Sequence, residues 1–77
     1  MPTINLYVQV RPDSDALQRV VTLCGRRYLE ILAMNYGANA IRLTVRYETA
    51  RRRQIVQWLG ALVDVLDVAE VVSGRRR

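Results

Sequence analysis

The chain has 77 residues, 51% hydrophobic and 25% charged, the balance of one globular domain and not that of a disordered or collagen-like chain. One cysteine and no histidine exclude an intrachain disulfide framework and remove the usual zinc ligand and general base. The formal charge is +5, but Arg75, Arg76 and Arg77 supply three of it and residues 1–74 carry +2, so a nucleic-acid partner is a weaker expectation than a pI of about 10.4 suggests.

Residues 3–11 alternate strictly, with Ile4, Leu6, Val8 and Val10 on one side and Asn5, Tyr7 and Gln9 on the other. That is a strand with one buried face. Its apolar residues never form the continuous run of a secretion signal, and no stretch approaches a membrane span, so a cytoplasmic protein is expected. Pro12 closes the strand, and Asp13, Ser14 and Asp15 offer N-cap oxygens to a helix. In that helix Leu17, Val20, Val21 and Cys24 recur at helical spacing. Gln18, Arg19, Thr22 and Arg26 cover much of the other side, and the helix should end near Gly25 to Arg27. Cys24 reads as a buried thiol acting as a small hydrophobe.

Residues 28–36 predict a second strand with two apolar faces: Leu29, Ile31 and Ala33 on one, Leu32, Met34 and Tyr36 on the other. Gly37 to Asn39 make a turn. Residues 40–47 alternate again, Ile41, Leu43, Val45 and Tyr47 against Arg42, Thr44 and Arg46. A second helix is expected over 50–62, with Ile55, Leu59 and Leu62 as its stripe. The last strand lies within 65–72, but Val65, Val68 and Val71 are three apart, so its start is placed near Asp67. Residues 75–77 form a basic tail beyond a single domain of residues 1–74.

The order β-α-β-β-α-β, with right-handed crossovers, predicts an α+β fold. It is the ferredoxin-like plait, a four-stranded antiparallel sheet with two helices on one face. Strands one and three should be central, two and four at the edges. The uncovered face would carry Tyr7, Leu32, Met34, Arg42, Thr44 and Arg46. Three large apolar side chains on one strand, Leu32, Met34 and Tyr36, predict self-association into at least a dimer.

Catalytic chemistry finds little to use. Cys24 has no histidine partner, Ser14 and Ser73 have no adjacent base, and the glycines are too scattered for a phosphate loop. No metal site is expected. Tyr7, Arg42 and Arg46 on one sheet face evoke an RNA-binding surface, without the aromatic-rich strands of that module. Arg51, Arg52 and Arg53 open a helix against its dipole, which hints at an acidic partner.

Two stretches carry a resemblance. DSDALQRVVTLCGRRYLEILAMNY at 13–36 is similar to the opening of the small regulatory subunit of acetolactate synthase, where a polar loop leads into A-L-x-R-V. QIVQWLGALVDVLDVAEV at 54–71 resembles its second helix and last strand, where L-x-x-L-[IV]-D-V-x-x-V is characteristic. Together they span 42 of 77 residues. The resemblance implies an ACT domain, with this same plait, and a non-catalytic subunit that binds and activates the large acetolactate synthase subunit in branched-chain amino acid biosynthesis. Thiamine diphosphate, Mg²⁺ and FAD would belong to that partner, and none to this chain.

The resemblance also implies an effector site for a branched-chain amino acid, often valine. Its matching positions are Pro12, Asp13, Ser14, Asp15, Ala16 and Leu17, with Asn35 and Tyr36 nearby. Most such loops carry Gly where Asp15 stands, and the chain looks most like a short single-domain class that lacks it. Asp15 would repel a carboxylate, so weak or absent valine binding is expected. The alternative readings are a free-standing ACT-like module that senses amino acids or dimerises for another enzyme, a small RNA-binding protein, and a small acyl-phosphate hydrolase.

Overall fold

A computed structural model describes residues 2–37, 39–48 and 51–71. The chain runs β1 (Thr3–Val10), α1 (Ala16–Arg26), β2 (Glu30–Tyr36), β3 (Ala40–Arg46), α2 (Arg52–Gly60) and β4 (Val65–Glu70). The predicted tail at 75–77 and the last positions of the predicted final strand and domain lie outside the described residues.

β1 and β3 follow from their alternation. Their inward residues Ile4, Leu6, Val8, Val10, Ile41, Leu43 and Val45 are almost fully buried. The register pairs them directly, Ile4 with Val45, Leu6 with Leu43 and Val8 with Ile41. Burial of matched aliphatic pairs fixes this register, because a slip of one residue would turn every apolar side chain to solvent. The sheet order is β2-β3-β1-β4, antiparallel throughout, with β1 and β3 central as expected. Both helices pack on the face carrying these residues. Ala16, Val20 and Cys24 of α1 and Ile55 and Leu59 of α2 complete one core. This is the ferredoxin-like plait, the topology that ACT domains also have.

α1 ends in a device the sequence does not announce. The Leu29 N–H donates to Cys24 O at 2.9 Å and the Tyr28 N–H to Gly25 O at 3.4 Å, the paired bonds of a Schellman cap. The left-handed residue that this cap requires is Tyr28, at φ 57°, not a glycine. Gly25 lies inside the helix one turn earlier.

The edge strands depart from expectation. β2 does not have two apolar faces. Ile31 pairs with Val45, but the next pairing is Ala33 with Thr44, then Met34 with Leu43, Asn35 with Arg42 and Tyr36 with Ile41. Leu32 is the extra residue of a β-bulge, and beyond it the phase is reversed. Met34 and Tyr36 therefore share the helix-covered side with Leu43 and Ile41, and Ala33 and Asn35 take the open side. The expected position of Met34 on the uncovered face is corrected accordingly. β4 repeats the device. Val65 pairs with Val10 and Asp67 with Gln9, leaving Leu66 as the extra residue. The strand thus starts at Val65, not near Asp67, and the three-residue spacing of Val65 and Val68 is the bulge itself. The second strand starts at Glu30 and not at residue 28, because Tyr28 belongs to the cap.

Candidate functional site

The loop from β1 to α1 gathers six of the positions implied by the resemblance. Pro12, Asp13 and Asp15 are exposed, Ser14 and Leu17 half-buried, and Ala16 buried in the core. Asp13 holds a left-handed φ of 58°, a conformation aspartate tolerates. The Ser14 hydroxyl donates to Arg11 O at 2.6 Å and accepts a longer bond from the Ala16 N–H at 3.4 Å. Asp15 stands at the N-cap position but its side chain makes no capping hydrogen bond. The helix start is thus tied by Ser14, and the Asp15 carboxylate is left for something else.

Asn35 and Tyr36 lie at the end of β2, with β3 between them and β1. The register puts them on opposite sides of the sheet, Asn35 beside Arg42 on the open face and Tyr36 beside Ile41 on the helix side. A single ligand at the loop could meet Tyr36 but not Asn35 on the same face. Leu32, Met34 and Tyr36 are each between one third and one half exposed. Val21 of α1 is exposed as well. It lies with Leu17 on the helix flank away from Arg19 and Leu23, so an apolar margin follows the β2 side of the molecule.

A concavity lies on the other flank of α1. It is an open groove of about 370 Å³ running from Asp15 to Arg26, with Gln18, Arg19, Thr22 and Leu23 along it and Leu62, from the turn after α2, on the opposite wall. Sequence periodicity assigned these polar residues to a solvent face. Positions 15, 19, 22 and 26 form one line on a helix, a signal that was readable. The wall that makes it a groove is supplied by Leu62 through the tertiary fold, which periodicity does not report.

The open sheet face is polar and largely self-satisfied. Thr44 Oγ1 donates to Asn5 Oδ1 at 2.7 Å, and Arg46 Nε donates to Glu30 Oε1 at 3.1 Å. Arg42 lies 5.9 Å from the centre of the Tyr7 ring. Tyr36 is not on this face, so among the described strand residues Tyr7 is the aromatic it presents. That is a poor stacking platform for successive bases.

The arginines of α2 are partly engaged. Arg52 pairs with Glu70 and donates to Thr3 O at 3.1 Å. The Arg51 N–H donates to Gln54 Oε1 at 3.0 Å, which closes the helix start. Arg27 stacks over Trp58 at 4.5 Å. The Cys24 thiol is 1% exposed, and burial pushes its pKa up to about 11, which suppresses the nucleophilic thiolate. Among the described residues no helix is long and apolar enough to cross a membrane, and no group of three Cys, Asp or Glu could hold a metal ion.

No family model and no curated protein matches the chain. Among solved structures it is similar to phospho-2-dehydro-3-deoxyheptonate aldolase (DAHP synthase) from Thermotoga maritima, with a TM-score of 0.60 and 18% sequence identity. The match covers 92% of this chain and 21% of that one. At this identity the likeness is one of fold. The chain spans about a fifth of the aldolase's length.

Proposed function

We propose that the chain is a non-catalytic ACT-like module that senses a free amino acid, pairs with a second copy and serves a separate enzyme. The observation that carries this reading is the β2-β3-β1-β4 plait with a polar loop between β1 and α1 whose Asp15 carboxylate does not cap the helix. A buried, protonated thiol and a chain without histidine suit a part that binds and does not catalyse. A domain of this shape within a longer aldolase chain accords with service to an enzyme. Calorimetry of the purified chain against the standard amino acids, with sedimentation in the presence of any ligand found, tests it. Binding of at least one amino acid is expected, and binding of none overturns the sensing role.

A narrower form is favoured by the two stretches at 13–36 and 54–71. These form α1 with β2 and α2 with β4, the elements their likeness to the small acetolactate synthase subunit requires. On this reading the chain binds and activates a large cytoplasmic catalytic subunit that holds thiamine diphosphate, Mg²⁺ and FAD. Coexpression with such a subunit should give a complex with a raised rate. Copurification without any change in rate or in valine response would reject the narrower form and leave the broader one standing.

A further inference from the structure

The groove beside α1 contains three charges that the fold does not use. Asp15 does not cap the helix. Among the described residues the ion pairs join Arg11 to Asp64, Arg46 to Glu30 and Arg52 to Glu70, so Asp15, Arg19 and Arg26 have no partner of opposite charge. All three line the same concavity. Asp15 and Arg19 are one helical turn apart, and Arg26 lies two turns beyond Arg19, about 10 Å along the axis. Arginine side chains are long and flexible enough to lean toward one another across that gap. Thr22 stands between them, and Leu23 and Leu62 give the groove its apolar wall.

We propose that this groove binds a dicarboxylic amino acid, the α-ammonium on Asp15, the α-carboxylate on Arg19, the distal carboxylate on Arg26 and the aliphatic stem against Leu23 and Leu62. The inference rests on the sensing role proposed above and moves the site from the loop to the helix flank. Charge selects the ligand class. Two guanidinium groups and one carboxylate leave one net positive charge, which an acidic amino acid balances and a branched-chain one does not. Each guanidinium offers a planar fork that matches a carboxylate bidentately. The volume lies at the lower end of the range usual for small-molecule sites, about 300–1,000 Å³. The repulsion that Asp15 would exert on a carboxylate becomes, in this pose, the attraction that orients the ammonium.

Calorimetry of the 77-residue chain with glutamate, aspartate, glutarate, valine and leucine tests the proposal. Glutamate or aspartate should bind, and glutarate, which lacks the ammonium, should bind at least about tenfold more weakly. Arg26→Gln should weaken glutamate by a similar factor, and Arg53→Gln, outside the groove, should not. Asp15→Asn should abolish the preference for glutamate over glutarate. The exchanged side chains are exposed, and unchanged denaturation midpoints would show that each variant is folded. Equal binding of glutamate and glutarate by the wild type would make the groove a plain anion site and overturn the proposal. So would tighter binding of valine or leucine, or glutamate binding indifferent to Arg26→Gln; in each of those two cases the sensing role survives with its site elsewhere. If no amino acid binds, both fall.

Discussion

At the scale of single residues, the end of α1 has its side chains in the wrong order for its backbone. Tyr28 occupies the left-handed position of the cap, where a Cβ costs about 1–2 kcal/mol, and it is 88% exposed, so it returns little packing. Gly25 sits in the helix, where glycine costs about 1 kcal/mol relative to alanine, and a Cβ there would meet nothing within 4 Å. Tyr28→Gly and Gly25→Ala should therefore each raise stability by about 0.5–1 kcal/mol, read as a higher urea midpoint at constant slope. A loss in either variant would mean that the exposed ring or the helical glycine has a packing role hidden in the monomer. Cys24 gives a pH signature. Its thiol pKa lies near 11 against an ordinary 9.0. The neutral form is favoured in the folded state, so its contribution is complete below pH 9. It is lost as pH rises from about 9 through 11, at about 1.4 kcal/mol per unit. Urea titrations at pH 8 and above 10 should show a fall in the wild type that is smaller in Cys24→Ala, since only the wild type has the thiol to ionise.

At the scale of elements, the central strands and both helices were legible because period 2 and period 3.6 run through them without interruption. The edge strands were not, and for one reason. Ile31 with Met34, and Val65 with Val68, are three apart and yet face the same core, because Leu32 and Leu66 are extra residues that the partner strand does not count. A strict alternation laid over such a strand puts every residue after the bulge on the wrong side, and so puts Met34 on the open face. The site was legible to a similar depth. Asp13, Ser14 and Asp15 are equivalent N-cap candidates in the sequence, and Asp15 is singled out only by the resemblance; the competition between these neighbouring oxygens, won by Ser14, is decided by loop geometry. Bulges on both edges of a sheet twist the exposed hydrogen-bonding groups away from uncontrolled pairing. Deleting Leu32 or Leu66 should leave all the inward pairings in register and cost no more than about 1–2 kcal/mol. Deleting Thr44 from the central β3 should unfold the chain, because every inward residue on one side of the deletion then turns outward. Circular dichroism and urea melts of the three deletions separate these outcomes, and equal damage from all three would mean that the bulges are structurally required.

At the scale of the molecule, charge is unevenly placed, and together with apolar surface exposed at the sheet edges, Leu66 of β4 included, it bears on assembly. The end where β1 begins and α1 finishes holds Arg26, Arg27, Arg46, Arg51, Arg52 and Arg53 against Glu30, Glu48 and Glu70. The opposite end holds Arg11, Arg19 and Arg42 against Asp13, Asp15, Asp64 and Asp67. One end is basic and the other slightly acidic. Between them, along the β2 side, Val21, Leu32, Met34 and Tyr36 expose apolar surface that a domain of 77 residues gains from covering, since small domains bury so little of their own. A two-fold pair across this side can run its strands parallel or antiparallel. The parallel pair sets the two arginine-rich ends together. The antiparallel pair sets each arginine-rich end beside the aspartate-rich end of the other copy, and is the arrangement that electrostatics favours. The chain should therefore sediment as at least a dimer, and salt should weaken the association by screening the attraction between unlike ends. Met34→Lys should shift the equilibrium toward monomer, because an ammonium in the interface must be desolvated without a partner, and Gln57→Lys on exposed α2 should not. Sedimentation at low and high salt reads both effects. A dimer that tightens as salt rises would mean that like ends meet, and the antiparallel arrangement would be wrong. A dimer indifferent to Met34→Lys would put the interface on another side of the sheet.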